Sequence, residues 1–150
     1  MKIMNVTPIT PEWLKANGWR YYNGTANKKI NELTYYVRLE NLARCSGCTC
    51  RLSKLVAVVS AVEAVEELTD TGQEFAEDKI VLLKPEHTVI SRYWPEENGW
   101  GRIENGDGEF RKCIKGVWYE LEYTDFGCDY MLKKEFATVQ TVEELEALLK

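Results

Sequence analysis

The spacing of apolar and polar positions changes several times along the chain, and each change marks an expected element. Thr10-Pro11-Glu12-Trp13-Leu14 opens a short helix: Thr10 is a good N-cap, Pro11 suits the first helical position, and Glu12 complements the positive helix end. Asn17-Gly18 closes it after about two turns. Trp19-Arg20-Tyr21-Tyr22 then reads as a strand ending at the Asn23-Gly24 turn. Alternation from Leu33 to Leu39 predicts a second strand, with a long polar loop from Thr25 to Asn31 between them. From Leu52 to Leu68 the apolar residues cover a wide face, while Ser53, Ser60, Glu63 and Glu67 fall on one stripe at helical spacing. The pattern predicts a buried amphipathic helix, although Leu55-Val56-Ala57-Val58-Val59 would equally suit a central strand.

Farther along, Ile80-Val81-Leu82-Leu83 reads as a buried strand, with Thr88 to Trp94 as its neighbour and Pro95 as its end. Residues 95 to 108 hold two turn-like echoes, Glu97-Asn98-Gly99-Trp100-Gly101 and Glu104-Asn105-Gly106-Asp107-Gly108. A two-residue hairpin at Lys115-Gly116 would pair Ile114 with Val117, Lys112 with Tyr119 and Phe110 with Leu121 on one face. The other face would pair Cys113 with Trp118 and Arg111 with Glu120, the second as a cross-strand salt bridge. Phe136 to Val139 predicts a last strand, and Thr141-Val142-Glu143-Glu144 a capping box opening a helix with Val142, Leu145, Leu148 and Leu149 inward. The expected fold class is α+β, a mostly antiparallel sheet of about five or six strands with a short N-terminal helix, a central helix and a C-terminal helix. No linker composition or fixed repeat divides the chain, so one domain over residues 1–150 is expected.

Composition adds context. The chain has 150 residues, 45% of them apolar, which is the ordinary globular proportion and enough to build a core without a disulfide or a metal. The N-terminus lacks the apolar stretch of a secretion signal, and the apolar run from Leu55 to Val62 is far short of the ~20 residues that span a bilayer. Five cysteines is an odd number, which fits reduced thiols and a cytoplasmic location with no membrane association. The net charge of −5 is unevenly distributed. Residues 1–59 carry nine Lys and Arg against three Asp and Glu; residues 60–110 carry four against thirteen. Such an acidic segment favours a basic partner, because a field of one sign steers association.

Few residues suggest chemistry. Cys45, Cys48 and Cys50 form the one cysteine cluster and are weak candidates for a zinc site, since Cys113 and Cys128 supply no second close pair. His87, the single histidine, falls in what reads as an exposed turn, and no nucleophile elbow, phosphate loop or dinucleotide fingerprint is present. Carboxylates are abundant, but no spacing singles out an acid and base pair, so no residue is assigned as catalytic. The basic N-terminal third interleaves aromatics with Lys and Arg, a pattern seen in single-strand binders, yet the pI near 5.1 argues against nucleic acid. Tyr93, Trp94 and Trp100 flank a polar glycine-rich loop, and with Glu96 and Glu97 they are the candidate partner-binding residues.

Ile9-Thr10-Pro11-Glu12-Trp13-Leu14-Lys15-Ala16-Asn17-Gly18-Trp19 and Val139-Gln140-Thr141-Val142-Glu143-Glu144-Leu145-Glu146-Ala147-Leu148-Leu149 resemble the two ends of a loose group of small proteins encoded by phages and mobile elements of gut bacteria. The resemblance covers eleven residues at each end and implies a short first helix, a strand-rich centre and a last helix. It implies no activity for any residue. The expected function is therefore a non-enzymatic, protein-binding accessory factor of a phage or mobile element that acts on a host or phage protein, such as an inhibitor of a host defence protein. The alternative is a small zinc- or nucleic-acid-binding regulatory module.

Overall fold

Three two-residue reversals organise much of the sheet. At Asn23-Gly24 (φ 50° and 87°), Asn31-Glu32 (51° and 73°) and Lys115-Gly116 (53° and 80°) both turn residues are left-handed, the backbone that matches the twist of paired strands. The first and third are visible in the sequence. The second is hidden because Glu32 takes a conformation usually left to glycine or asparagine.

The computed structural model describes residues 7–40, 49–103, 108–124 and 129–149. In order these form α1 (Pro11–Ala16), β1 (Arg20–Tyr22), β2 (Thr25–Ile30), β3 (Leu33–Glu40), β4 (Thr49–Val59), α2 (Val62–Thr71), β5 (Ile80–Val81), α3 (Trp94–Glu97), β6 (Gly101–Arg102), β7 (Glu109–Ile114), β8 (Val117–Tyr123), β9 (Tyr130–Val139) and α4 (Val142–Leu148). The fold is mixed helix and sheet, but with nine strands among the described residues instead of five or six. The strand order is β1-β2-β3-β4-β9-β8-β7-β6, and β5 pairs in parallel with the end of β4, Val58 opposite Ile80.

Four expectations are corrected. The expected Thr25–Asn31 loop is strand β2, which Ala26 anchors by packing into the core. The expected central helix begins instead as the eleven-residue strand β4, with α2 starting only at Val62. β4 is nearly continuously buried, so the polar alternation of a half-exposed strand is missing and its apolar width imitates a helix. Only Ile80 and Val81 of the third segment are strand; Ile80 and Leu82 are exposed, and Thr88–Trp94 contributes a single bridge, Ala61 to Val89. In α4, Val142 and Leu145 face inward, whereas Leu148 is exposed.

The chain divides into two compact units. The terminal unit comprises Met1–Ile30, Tyr35–Ser53 and Phe136–Lys150. Its core contains Ile9, Leu14, Val37, Leu52, Val139 and Leu145. Thr10 caps α1 by accepting the Trp13 N–H at 3.1 Å, and Thr141 caps α4 by accepting the Glu144 N–H at 3.2 Å. The central unit comprises Asn31–Thr34 and Lys54–Glu135. Val56, Val59, Val65, Leu68, Trp100, Phe110, Tyr119, Leu121 and Leu132 are among its core residues. The β7–β8 hairpin has the register that its alternation predicts, from Ile114 opposite Val117 to Phe110 opposite Leu121. Arg111 stands opposite Glu120, and its guanidinium fork binds Glu135 at 2.6 and 2.7 Å and lies 3.9 Å from the Trp118 ring centroid.

Among the described residues, no helix is long and apolar enough to cross a membrane.

Candidate functional site

α2 runs for ten residues with Val62, Val65 and Leu68 buried and carboxylates on its outer stripe. Ala61 offers no side-chain cap, so the helix start is fixed from the neighbouring segment. Val62 donates its N–H to the Thr88 carbonyl at 2.9 Å, and Glu63 accepts the Thr88 N–H at 2.6 Å. That backbone hydrogen bond lowers the Glu63 carboxyl from its ordinary range. Gly72 ends the helix in a left-handed conformation, donating to the Leu68 carbonyl at 3.1 Å.

Just beyond the tie to α2 the chain makes α3. Ser91 Oγ accepts the Trp94 N–H at 3.1 Å, and Pro95 suits the first turn of so short a helix. The Trp100 N–H returns to the Pro95 carbonyl at 2.8 Å, turning the indole of Trp100 into the central core. Trp94 is half-buried and packs against the same core. β6 then pairs with β7, Gly101 opposite Arg111, which brings β7 to the same place.

α2, α3 and β7 enclose an open cleft of about 630 Å³, within the ordinary range for ligand sites. Trp94 and Trp100 line it together with Val65 and Ile114. α2 contributes Glu66, Glu67 and Asp70, and β7 contributes Lys112 and Cys113. The two lysines nearby each contact a helix end. Lys112 donates to the Asn98 carbonyl at 2.8 Å at the end of α3, and Lys115 binds Asp70 through its carboxylate at 2.6 Å and its carbonyl at 3.1 Å at the end of α2. Both cations thus complement helix C-termini. Thr69, the only hydroxyl of the lining among the described residues, donates to the Val65 carbonyl at 2.7 Å. The lining contains no histidine. What faces an incoming group is the half-buried Trp94 indole, the Cys113 thiol, the Lys112 ammonium and carboxylates, while Trp100 is only 3% exposed.

Trp94 and Trp100 therefore come together in the cleft, although Trp100 is core instead of loop surface. Tyr93, just before α3, and Glu96 and Glu97 within it are exposed and are not part of the cleft lining. Tyr93 is 65% exposed with the Arg92 guanidinium 5.7 Å from its ring, and Glu96 pairs with Arg102 at 2.6 Å. Glu104 and Asp107 lie outside the described residues. The sequence reading overlooked Glu66, Asp70 and Lys112. The spacing of Glu63, Glu66, Glu67 and Asp70 at i, i+3, i+4 and i+7 was the available signal, obscured by starting the helix ten residues early.

Of the weak zinc candidates, Cys50 is fully buried in the terminal core, while Cys45 and Cys48 lie outside the described residues, as does Cys128. Among the described residues, no group of three or more His, Cys, Asp or Glu side chains is placed to hold a metal ion. His87 is half-buried in a turn, where its Nδ1 accepts the Lys84 N–H at 3.3 Å. Comparison with known protein families, with curated proteins and with solved structures finds no match to this chain.

Proposed function

We propose that this chain is a non-enzymatic factor that binds another protein through the cleft between α2, α3 and β7. The observation that supports it is that the half-buried Trp94 and acidic residues of α2 line one concavity. Tryptophan in a partly desolvated pocket is the commonest anchor of protein interfaces, and surrounding polar groups set which partner is accepted. The two terminal motifs suggest a phage or mobile element as the setting, in which the partner is a host or phage protein in the cytoplasm and blocking a host defence protein is a fitting role.

The test places a photoreactive amino acid at Glu67 or Lys112 in the cleft, or at Glu12 in α1 as a control, and irradiates cells producing each variant. The expected result is one shared cross-linked product from positions 67 and 112 and none from position 12. Products of equal yield from all three positions, or none from the two cleft positions, would overturn the reading.

A further inference from the structure

The chemistry of the partner can be read from the charges that remain unengaged. Asp70 is paired with Lys115, Glu63 secures Thr88, and Lys112 keeps its positive charge while donating to the Asn98 carbonyl, so that the two carboxylates of Glu66 and Glu67 outnumber one ammonium in the lining. Glu66 and Glu67 are exposed in the cleft lining, with no ion pair or hydrogen bond to their carboxylates among the described residues. Their position does not favour the helix that carries them. Glu63 with Glu67, and Glu66 with Asp70, are like charges at i and i+4, and α2 has no basic residue in its last turn. Among the described residues no contact of the fold uses these two carboxylates, and they line the same cleft as the half-buried Trp94.

Resting on the partner-binding reading above, we infer that the cleft takes an arginine side chain from an extended segment of the partner protein, with the guanidinium on the Trp94 ring and its N–H groups directed to Glu66 and Glu67. A guanidinium fits this set better than an ammonium, because it is planar, weakly hydrated and able both to stack and to form paired hydrogen bonds. The same arrangement already exists within the central unit, where Arg111 stacks on Trp118 while its fork binds Glu135. Nucleic acid is the wrong occupant, since the unengaged charge would repel phosphate.

Fluorescence anisotropy tests this with three labelled nonapeptides of glycine and serine carrying three arginines, three lysines or three glutamates. The arginine peptide binds, the lysine peptide binds more weakly and the glutamate peptide does not. Affinity falls as salt is raised, because the contacts are at the protein surface. The Glu66→Gln/Glu67→Gln double variant, which removes charge from exposed positions without changing side-chain size, weakens the arginine peptide on the order of tenfold. Trp94→Leu removes the preference for arginine over lysine. Binding unaffected by the double variant, or equal binding of the glutamate peptide, overturns the inference. Cross-linking from positions 67 and 112 without arginine-peptide binding overturns the arginine assignment alone and leaves partner binding standing, whereas loss of both removes the broader reading.

Discussion

Single residues here carry costs that the surrounding structure compensates. Glu32 holds a φ of 73°, for which a side chain with a Cβ is strained by roughly 1 kcal/mol. Its carbonyl accepts the Asp78 N–H at 2.7 Å, and the Asp78 carboxylate in turn binds the N–H and hydroxyl of Thr34 at 2.8 and 2.6 Å. Those bonds hold the turn without using the Glu32 side chain. Glu32→Gly is therefore expected to stabilise the protein by about 0.5–1 kcal/mol, measured as a raised urea midpoint with an unchanged slope. Acid sensitivity also belongs to particular carboxylates. Glu63 is lowered by the Thr88 N–H. Glu74 is raised by burial, but hydrogen bonds and charge from Lys134 and Lys54 outweigh this and lower it overall. A depressed carboxyl contributes stability that is complete above the ordinary glutamate range and lost as pH falls through that range and below it. Urea midpoints of the wild type should thus fall on acidification, and Glu63→Gln with Glu74→Gln should flatten that dependence. An equal slope in the double variant would contradict the assignment.

Elements differ in how openly the sequence announces them. α1 and α4 were legible because their caps are local: Thr10 and Thr141 each bind the N–H three residues on. The β7–β8 hairpin was legible because Lys115-Gly116 fixes the turn and alternation fixes the register. β4 was not, since a strand buried along both sides loses its period, and β5 was over-read, since an apolar run alone does not show burial. Of the site, the sequence indicated Trp94 and Trp100 as aromatics of one loop, but bringing α2 against them depends on the long-range Ser60–Glu63 to Thr88–Ile90 tie. α2 itself makes a separable prediction. Because its outer carboxylates repel one another, Glu66→Gln/Glu67→Gln should leave thermal stability unchanged or raise it slightly, by a few tenths of a kcal/mol, while weakening peptide binding. Loss of stability together with loss of binding would instead mark these residues as part of the fold.

At the scale of the whole molecule, each of the two units has its own core. β4 supplies Leu52 to the terminal core and Val56 to the central one, and β9 supplies Val139 and Leu132 in the same way. Leu145→Ala and Leu121→Ala each remove a fully buried side chain and are each expected to cost about 2–5 kcal/mol. Each substitution should lower the urea midpoint followed by circular dichroism, and an unchanged midpoint would contradict the burial of that side chain. Charge is likewise distributed by unit: the acidic stretch of residues 60–110 falls within the central unit, which also holds the cleft.

The central claim is that this cleft is the binding surface, and the most direct measurement is a ¹⁵N NMR titration of the protein with the arginine nonapeptide. The account predicts that shift changes concentrate on the amides of Glu66, Glu67, Lys112 and Cys113 and on the indole N–H groups of Trp94 and Trp100, and that they disappear in Glu66→Gln/Glu67→Gln. Changes confined to the terminal unit, or spread evenly over acidic surface residues, would contradict it.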